Sequence, residues 1–354
     1  MGVCTYGVSK LAQRKKAEKL DFKTAKLWFE MGSVTDNLEE KLVYYTRALK
    51  INPGYVEALI GKGNTFLALG IAEGAIKYYN KALELDPECI EVMARKGNAL
   101  FIAGRYKEAI KYYDTALERE PEMAGVWLNK GLSYSGLGNT KKALECYDKA
   151  LFIEPEFANA WLCRGDVLEA QGLYEEALEA YGKGLSKDSA DVSAWISQGK
   201  VLRRLERYEE ALESYTKALD LDPGFAGVWS NLAGSYYMLG KYREALEACD
   251  RAIELEPNFA GAWSNRGVIL RRLGKFEEAL KAYEKVFDLK MGNAKTWTSM
   301  GRILVTLKRY GDALDCYNKA LKMNPHLTVA WNEKGAVLQK LGKTEAVLKV
   351  SEKA

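Results

Sequence analysis

The sequence is poor in the residues that carry most protein chemistry. Its 354 residues include a single histidine, His326, and six scattered cysteines: Cys4, Cys89, Cys146, Cys163, Cys249 and Cys316. No C-x-x-C pair occurs, and metal centres need clustered ligands, so neither a metal nor another cofactor is expected. Dispersed cysteines in a long chain also argue against a disulfide framework and for a reducing, cytoplasmic setting. No phosphate-binding G-x-x-x-x-G-K-[ST], nucleophile elbow or catalytic triad can be assembled, and no enzyme activity is expected. No run approaches 18 apolar residues, which excludes a membrane-spanning helix. The start, MGVCTYGVSK, lacks the apolar core of a signal peptide, and Tyr6 stands where myristoylation needs Ser or Thr. A strong charge of one sign is missing too. The net charge of +4 is too small to imply nucleic acid or an anionic membrane.

What the chain has in abundance is periodicity. From Val56 one phase holds Gly63, Gly97, Gly131, Gly165, Gly199, Gly267, Gly301 and Gly335, with Ala233 in the only gap. Four residues earlier stand Trp127, Trp161, Trp195, Trp229, Trp263, Trp297 and Trp331, seven of the eight tryptophans. All seven prolines share another phase: Pro53, Pro87, Pro121, Pro155, Pro223, Pro257 and Pro325. Within 124–157, Trp127, Gly131 and Tyr134 stand at i, i+4 and i+7, one face of a helix. Ala143, Tyr147 and Ala150 repeat that spacing on a second helix. The glycine permits close helix approach, at a cost of roughly 1 kcal/mol in helix propensity. The tryptophans, with second-helix tyrosines such as Tyr79, Tyr113 and Tyr147, are expected to supply most of the buried area. Gly70, Gly104, Gly138, Gly172, Gly240 and Gly274 suit the left-handed position after a helix, and the prolines stop the next one.

The pattern W-x2-L-G-x2-Y, A-x3-F and P, repeated every 34 residues, resembles the tetratricopeptide repeat family from about residue 22 to the chain end. The resemblance implies an all-α fold, a right-handed superhelical solenoid of antiparallel helix pairs. Residues 1–21 then read as a basic N-terminal arm or cap helix and 22–55 as a degenerate first repeat. Residues 56–327 hold eight full repeats and 328–354 a truncated ninth. In the first repeat Trp28 and Gly32 fall three residues late, which a shortened inter-helix turn would explain. One departure is systematic. Before the glycine, where the family has leucine, stand Lys62, Lys96, Lys130, Arg164, Gln198, Arg266 and Lys334. Their stems are expected to cover apolar surface while the charges reach water. Two joints depart from the pattern: Gly182–Ser189 lacks the small alanine and the proline, and so does Val286–Gly292. Both are expected to stay helical, with looser structure near 182–191.

If the resemblance holds, the first helices line a concave groove that binds protein or peptide. Its groove positions in the N-terminal half include Asn98, Phe101, Leu128, Asn129 and Leu132, an apolar and acidic surface. In the C-terminal half they include Lys200, Arg203, Arg204, Asn231, Tyr237, Asn265, Arg271, Arg272 and Arg302, a basic surface. Basic and acidic residues number 16 and 22 over 56–191, but 26 and 20 over 192–354. An acidic, extended partner segment is therefore expected, and its binding should weaken with salt. The alternatives are a scaffold or targeting subunit of a larger enzyme complex, and RNA binding through the basic half. The tryptophans sit in strict phase with core positions, which argues against nucleic acid. Chaperone-binding members of the family grip a carboxylate with charges that Ile60, Ala94, Asn159 and Cys163 cannot supply here, so that clamp is absent. Asn129, Asn231 and Asn265 fall where some members carry an asparagine ladder for peptide backbone. Carboxylate pairs such as Glu175–Glu176 and Glu209–Glu210 open second helices, where negative charge suits the dipole. The last unit lacks a solvating helix, so it is expected to pack on another subunit or to belong to a longer chain.

Overall fold

The computed structural model describes residues 22–343. The arm at 1–21 and the truncated end beyond 343 lie outside the described residues. Those described form nineteen helices and no strand, in two compact units that divide between Gln171 and Gly172. The first unit holds α1 (helical over 22–34), α2 (Leu38–Ile51), α3 (Val56–Ala68), α4 (Ala72–Leu85), α5 (Ile90–Ile102), α6 (Tyr106–Arg119), α7 (Ala124–Gly136), α8 (Thr140–Ile153) and α9 (Ala158–Ala170). The second holds α10 (Tyr174–Lys187), α11 (Val192–Arg204), α12 (Tyr208–Leu221), α13 (Ala226–Met238), α14 (Tyr242–Leu255), α15 (Ala260–Arg272), α16 (Phe276–Asp288), α17 (Ala294–Thr306), α18 (Tyr310–Met323) and α19 (Thr328–Lys340).

From α3 on, each first helix is followed by a residue with positive φ, glycine at Gly70, Gly104, Gly138, Gly172, Gly240, Gly274 and Gly342. The next residue then bonds back across the turn, as Ile71 N–H does to the Phe66 carbonyl at 2.8 Å. Glu206 and Lys308 take the same conformation, φ 60° and 58°, where a Cβ is disfavoured. Apart from α16, the second helices end in extended caps. At Asp86 and Asp222 the carboxylate accepts from the amide two residues on, at 3.2 and 2.9 Å, around a proline that cannot continue the helix.

Within each unit, helices pack on their chain neighbours. Consecutive first helices also touch, as α5 does α7 and α13 does α15, whereas consecutive second helices make no comparable contact. Each unit therefore curves toward its first helices, which form an inner surface. The core beneath is a stack of tyrosines: Tyr79, Tyr113, Tyr215 and Tyr317 are 0% exposed. Six of the phase glycines, Gly63, Gly97, Gly131, Gly199, Gly267 and Gly301, each seat their own repeat's tyrosine. A Cβ on Gly199 would lie 2.6 Å from the Tyr215 ring, and one on Gly267 would lie 2.8 Å from Tyr283. Ala233 confirms the rule by exception, because its repeat carries the smaller Cys249, fully buried, in place of tyrosine.

Four expectations change. The tryptophans are half-buried rather than the main core. Their indole N–H groups tie down the preceding turn, as Trp127 does the Pro121 carbonyl at 2.8 Å and Trp229 the Pro223 carbonyl at 3.1 Å. The turn between α1 and α2 spans 35–37, as long as the one at 69–71, so it is not shortened. Instead Ala25 takes the buried site and Gly32 lies against Tyr45. The joint near 286–292 does not stay helical: α16 stops at Asp288, Lys290 turns left-handed at φ 58°, and Phe287 packs 4.0 Å from Trp297. By contrast α10 runs unbroken to Lys187, and the Ser189 carbonyl takes over the indole bond from Trp195 at 3.0 Å. Finally, the cations before the glycines are held by side chains rather than by bulk water: Lys62 and Lys96 by the hydroxyls of Thr46 and Tyr112, and Lys130, Arg164 and Arg266 by carboxylates. Lys130 reaches Asp114 at 2.7 Å and lies 4.5 Å from the Trp127 ring, and Arg266 reaches Asp250 at 2.7 Å.

Candidate functional site

On the inner surface of the first unit, polar groups satisfy one another across repeats. The Asn64 carbonyl oxygen accepts from Tyr79 Oη at 2.6 Å and from Arg95 Nη1 at 3.3 Å. The Asn98 oxygen likewise accepts from Tyr113 Oη at 2.8 Å and Asn129 Nδ2 at 2.9 Å. Leu128 is only 7% exposed and packs with Ala143 and Tyr147, so its side chain is core rather than surface. Leu132 is half-buried beside it, and Phe101 rests on Tyr106 with ring centroids 5.6 Å apart. Arg95 is neutralised by Glu91 at 2.7 Å.

The second unit differs in charge and in how its charges are held. Lys200 and Arg204 are exposed at the end of α11. Arg204 lies over the Tyr174 ring at 5.7 Å and donates to its hydroxyl at 3.4 Å. Arg272 repeats the device on α15: its guanidinium is 6.0 Å from the Tyr237 ring centroid and its Nε donates to Tyr237 Oη at 3.0 Å. That hydrogen bond raises the Arg272 pKa further above its ordinary value. Tyr237 in turn packs on Tyr242 at 5.6 Å. Arg203, half-buried, donates to the Asn231 oxygen at 3.0 Å, over Gly234, where the missing side chain leaves room for it. Asn265 donates to the Ser230 carbonyl at 3.2 Å, and Arg302 pairs with Glu333 at 2.9 Å. Asn129, Asn231 and Asn265 thus all bond to the preceding repeat. Arg271 is half-buried and makes no ion pair or hydrogen bond among the described residues.

Models of the tetratricopeptide repeat match residues 56–89, 90–123, 124–157, 164–226, 226–259 and 258–325. The chain belongs to the tetratricopeptide repeat family. Its repeats form a protein-interaction scaffold. A comparison with curated proteins finds no significant match. Among solved structures, the chain is similar to YrrB, described as a TPR protein with an unusual peptide-binding site, at 26% identity and TM-score 0.47, over 50% of this chain and 91% of that one. MamA gives 28% identity and TM-score 0.43, over 47% and 93% of the two chains. The APC/C hetero-tetramer Cut9–Hcn1 gives 19% identity and TM-score 0.51, over 84% and 59%, a likeness of fold alone.

Within this repeat family framework, sequence reasoning missed Tyr174. It opens a second helix, and only its height beside Arg204 makes it part of the inner rim. The buried thiols are packing elements: burial pushes Cys146 up to about 11 and Cys249 up to about 12. The glutamate pairs are ion-paired helix openings, with Glu210 held at 2.5 Å by Arg207, which lowers its pKa.

Proposed function

We propose that this protein is a non-catalytic scaffold that binds an extended, acidic segment of a protein partner along the inner surface of its second unit. One observation carries the reading. At the inner register positions of 192–343, Glu333 is the only acidic residue, against Lys200, Arg203, Arg204, Arg271, Arg272, Lys295, Arg302 and Lys340. Two of those arginines lie on tyrosine faces, which presets the guanidinium and leaves its edge for a carboxylate. Arg204 and Arg272 stand two repeats apart, about 16–20 Å for first helices packed 8–10 Å from one another. Roughly six extended residues span that distance. RNA is disfavoured, because the tryptophans are tied to turns and Tyr174 and Tyr237 are already covered by arginine. A non-catalytic role is supported by the exposed turn position of His326 and by thiols held protonated through burial.

Affinity capture with the full chain tests this. Wild type should retain a partner bearing an acidic segment, with recovery falling as salt rises. The variant Arg203→Glu, Arg204→Glu, Arg271→Glu, Arg272→Glu should lose it. Equal recovery by the variant, or a purified chain whose absorbance is shifted toward 260 nm by bound nucleic acid, would contradict the proposal.

A further inference from the structure

Four register positions meet at each joint on the inner surface: the ninth and twelfth of one repeat, the tyrosine at its twenty-fourth, and the sixth of the next. Tyr113 and Asn129 converge on Asn98 in this way, and Arg203 reaches Asn231. In the joint formed by 260–293 and 294–327 these positions are Val268, Arg271, Tyr283 and Ser299. Here the asparagine acceptor has gone. Tyr283 is 1% exposed, and its hydroxyl has no hydrogen-bond partner of good geometry among the described residues. The Ser299 hydroxyl stands beside it, and Arg271 is near enough to offset part of the rise in phenol pKa that burial causes. Arg271 offers up to five N–H donors and has no carboxylate. The joint thus holds a guanidinium and two hydroxyls but no carboxylate.

The next joint displays what is missing. There Arg302 occupies the ninth position, Tyr317 the twenty-fourth and Glu333 the sixth, and the chain's own Glu333 carboxylate takes Arg302 at 2.9 Å, while the Tyr317 hydroxyl stays without a partner of good geometry. We propose that the Arg271–Tyr283–Ser299 joint is a seat for one oxyanion of the bound segment, a carboxylate or a phosphoryl group. Arg271 is the counter-charge, and the two hydroxyls are hydrogen-bond donors to the same oxygen atoms. The seat deepens the binding reading above and rests on it for the partner being an acidic segment.

Fluorescence anisotropy of the full chain, with labelled acetyl-hexaglutamate amide as probe at low salt, tests the seat. Tyr283→Phe removes only the hydroxyl and should weaken the probe about tenfold, the scale of one hydrogen bond to a charged group. Its melting temperature should fall little, because the Ser299 hydroxyl is that hydroxyl's one neighbouring group in the free chain. Arg271→Gln should weaken the probe at least as much. Tyr113→Phe, whose hydroxyl is spent on Asn98, should leave probe affinity unchanged. Inorganic phosphate or acetate should compete in wild type and less in Tyr283→Phe, and the stronger competitor identifies the preferred oxyanion. Unchanged affinity in Tyr283→Phe, or no probe binding by wild type at millimolar concentration, would overturn the seat. If Tyr283→Phe binds normally while Arg203→Glu, Arg204→Glu does not, the seat fails and the broader reading stands. Normal binding by both overturns both.

Discussion

At the scale of single residues, the glycine and tyrosine columns are one device. The ring of a second-helix tyrosine occupies the space where a first-helix side chain would be, so neither column can vary alone. Ala233 opposite Cys249 is the one full repeat in which both members differ, the first helix carrying a methyl where no ring needs the space. Cys249→Tyr should therefore destabilise the chain by ~1–3 kcal/mol through overpacking, and adding Ala233→Gly should recover most of the loss. Denaturant unfolding of the two single variants and the double variant measures this. Purely additive effects would show that the pair is uncoupled. The pairing was legible in the letters, because over 56–327 the only gap in each column falls in the same repeat. The cations before the glycines were legible as an anomaly but not as a solution. Asp114 lies sixteen residues before Lys130, on the preceding second helix, and only packing brings the two together.

At the scale of elements, helix boundaries followed from the punctuation. Glycine past the first helix and proline past the second impose conformations that few other residues share. The exceptions are Glu206 and Lys308, left-handed residues with a Cβ. Glu206→Gly and Lys308→Gly should each stabilise the second unit by ~0.5–1 kcal/mol, the relief of left-handed strain less the added freedom of the unfolded chain. Thermal melts would check this, and a drop in stability would mean that neighbouring contacts favour the side chain. The joint at 286–292 was legible as irregular, but its form was not. Without proline or a small alanine there, Phe287 turns into the space above Gly292, and the helix ends early. The tryptophan column misled for a related reason. A repeated large aromatic reads as core, yet an indole N–H must find an acceptor, and the carbonyl six residues earlier holds it at the core's edge.

At the scale of the whole molecule, the helix pairs were legible in the sequence, because the glycine, tyrosine and proline columns recur in most repeats. The binding surface was legible only as a charge pattern. Which inner residues are free depends on hydrogen bonds between repeats, some 30 residues apart, and those close the surface of the first unit while leaving the second with unspent donors. Salt dependence of binding follows from that excess. The central claim is that the partner lies on the inner surface of the second unit. Hydrogen–deuterium exchange of the full chain, with and without the partner recovered by affinity capture, addresses it most directly. The account predicts added protection in α11, α13, α15 and α17, with α12, α14 and α16 little changed. Protection confined to the second helices, or to α3–α9, would contradict it.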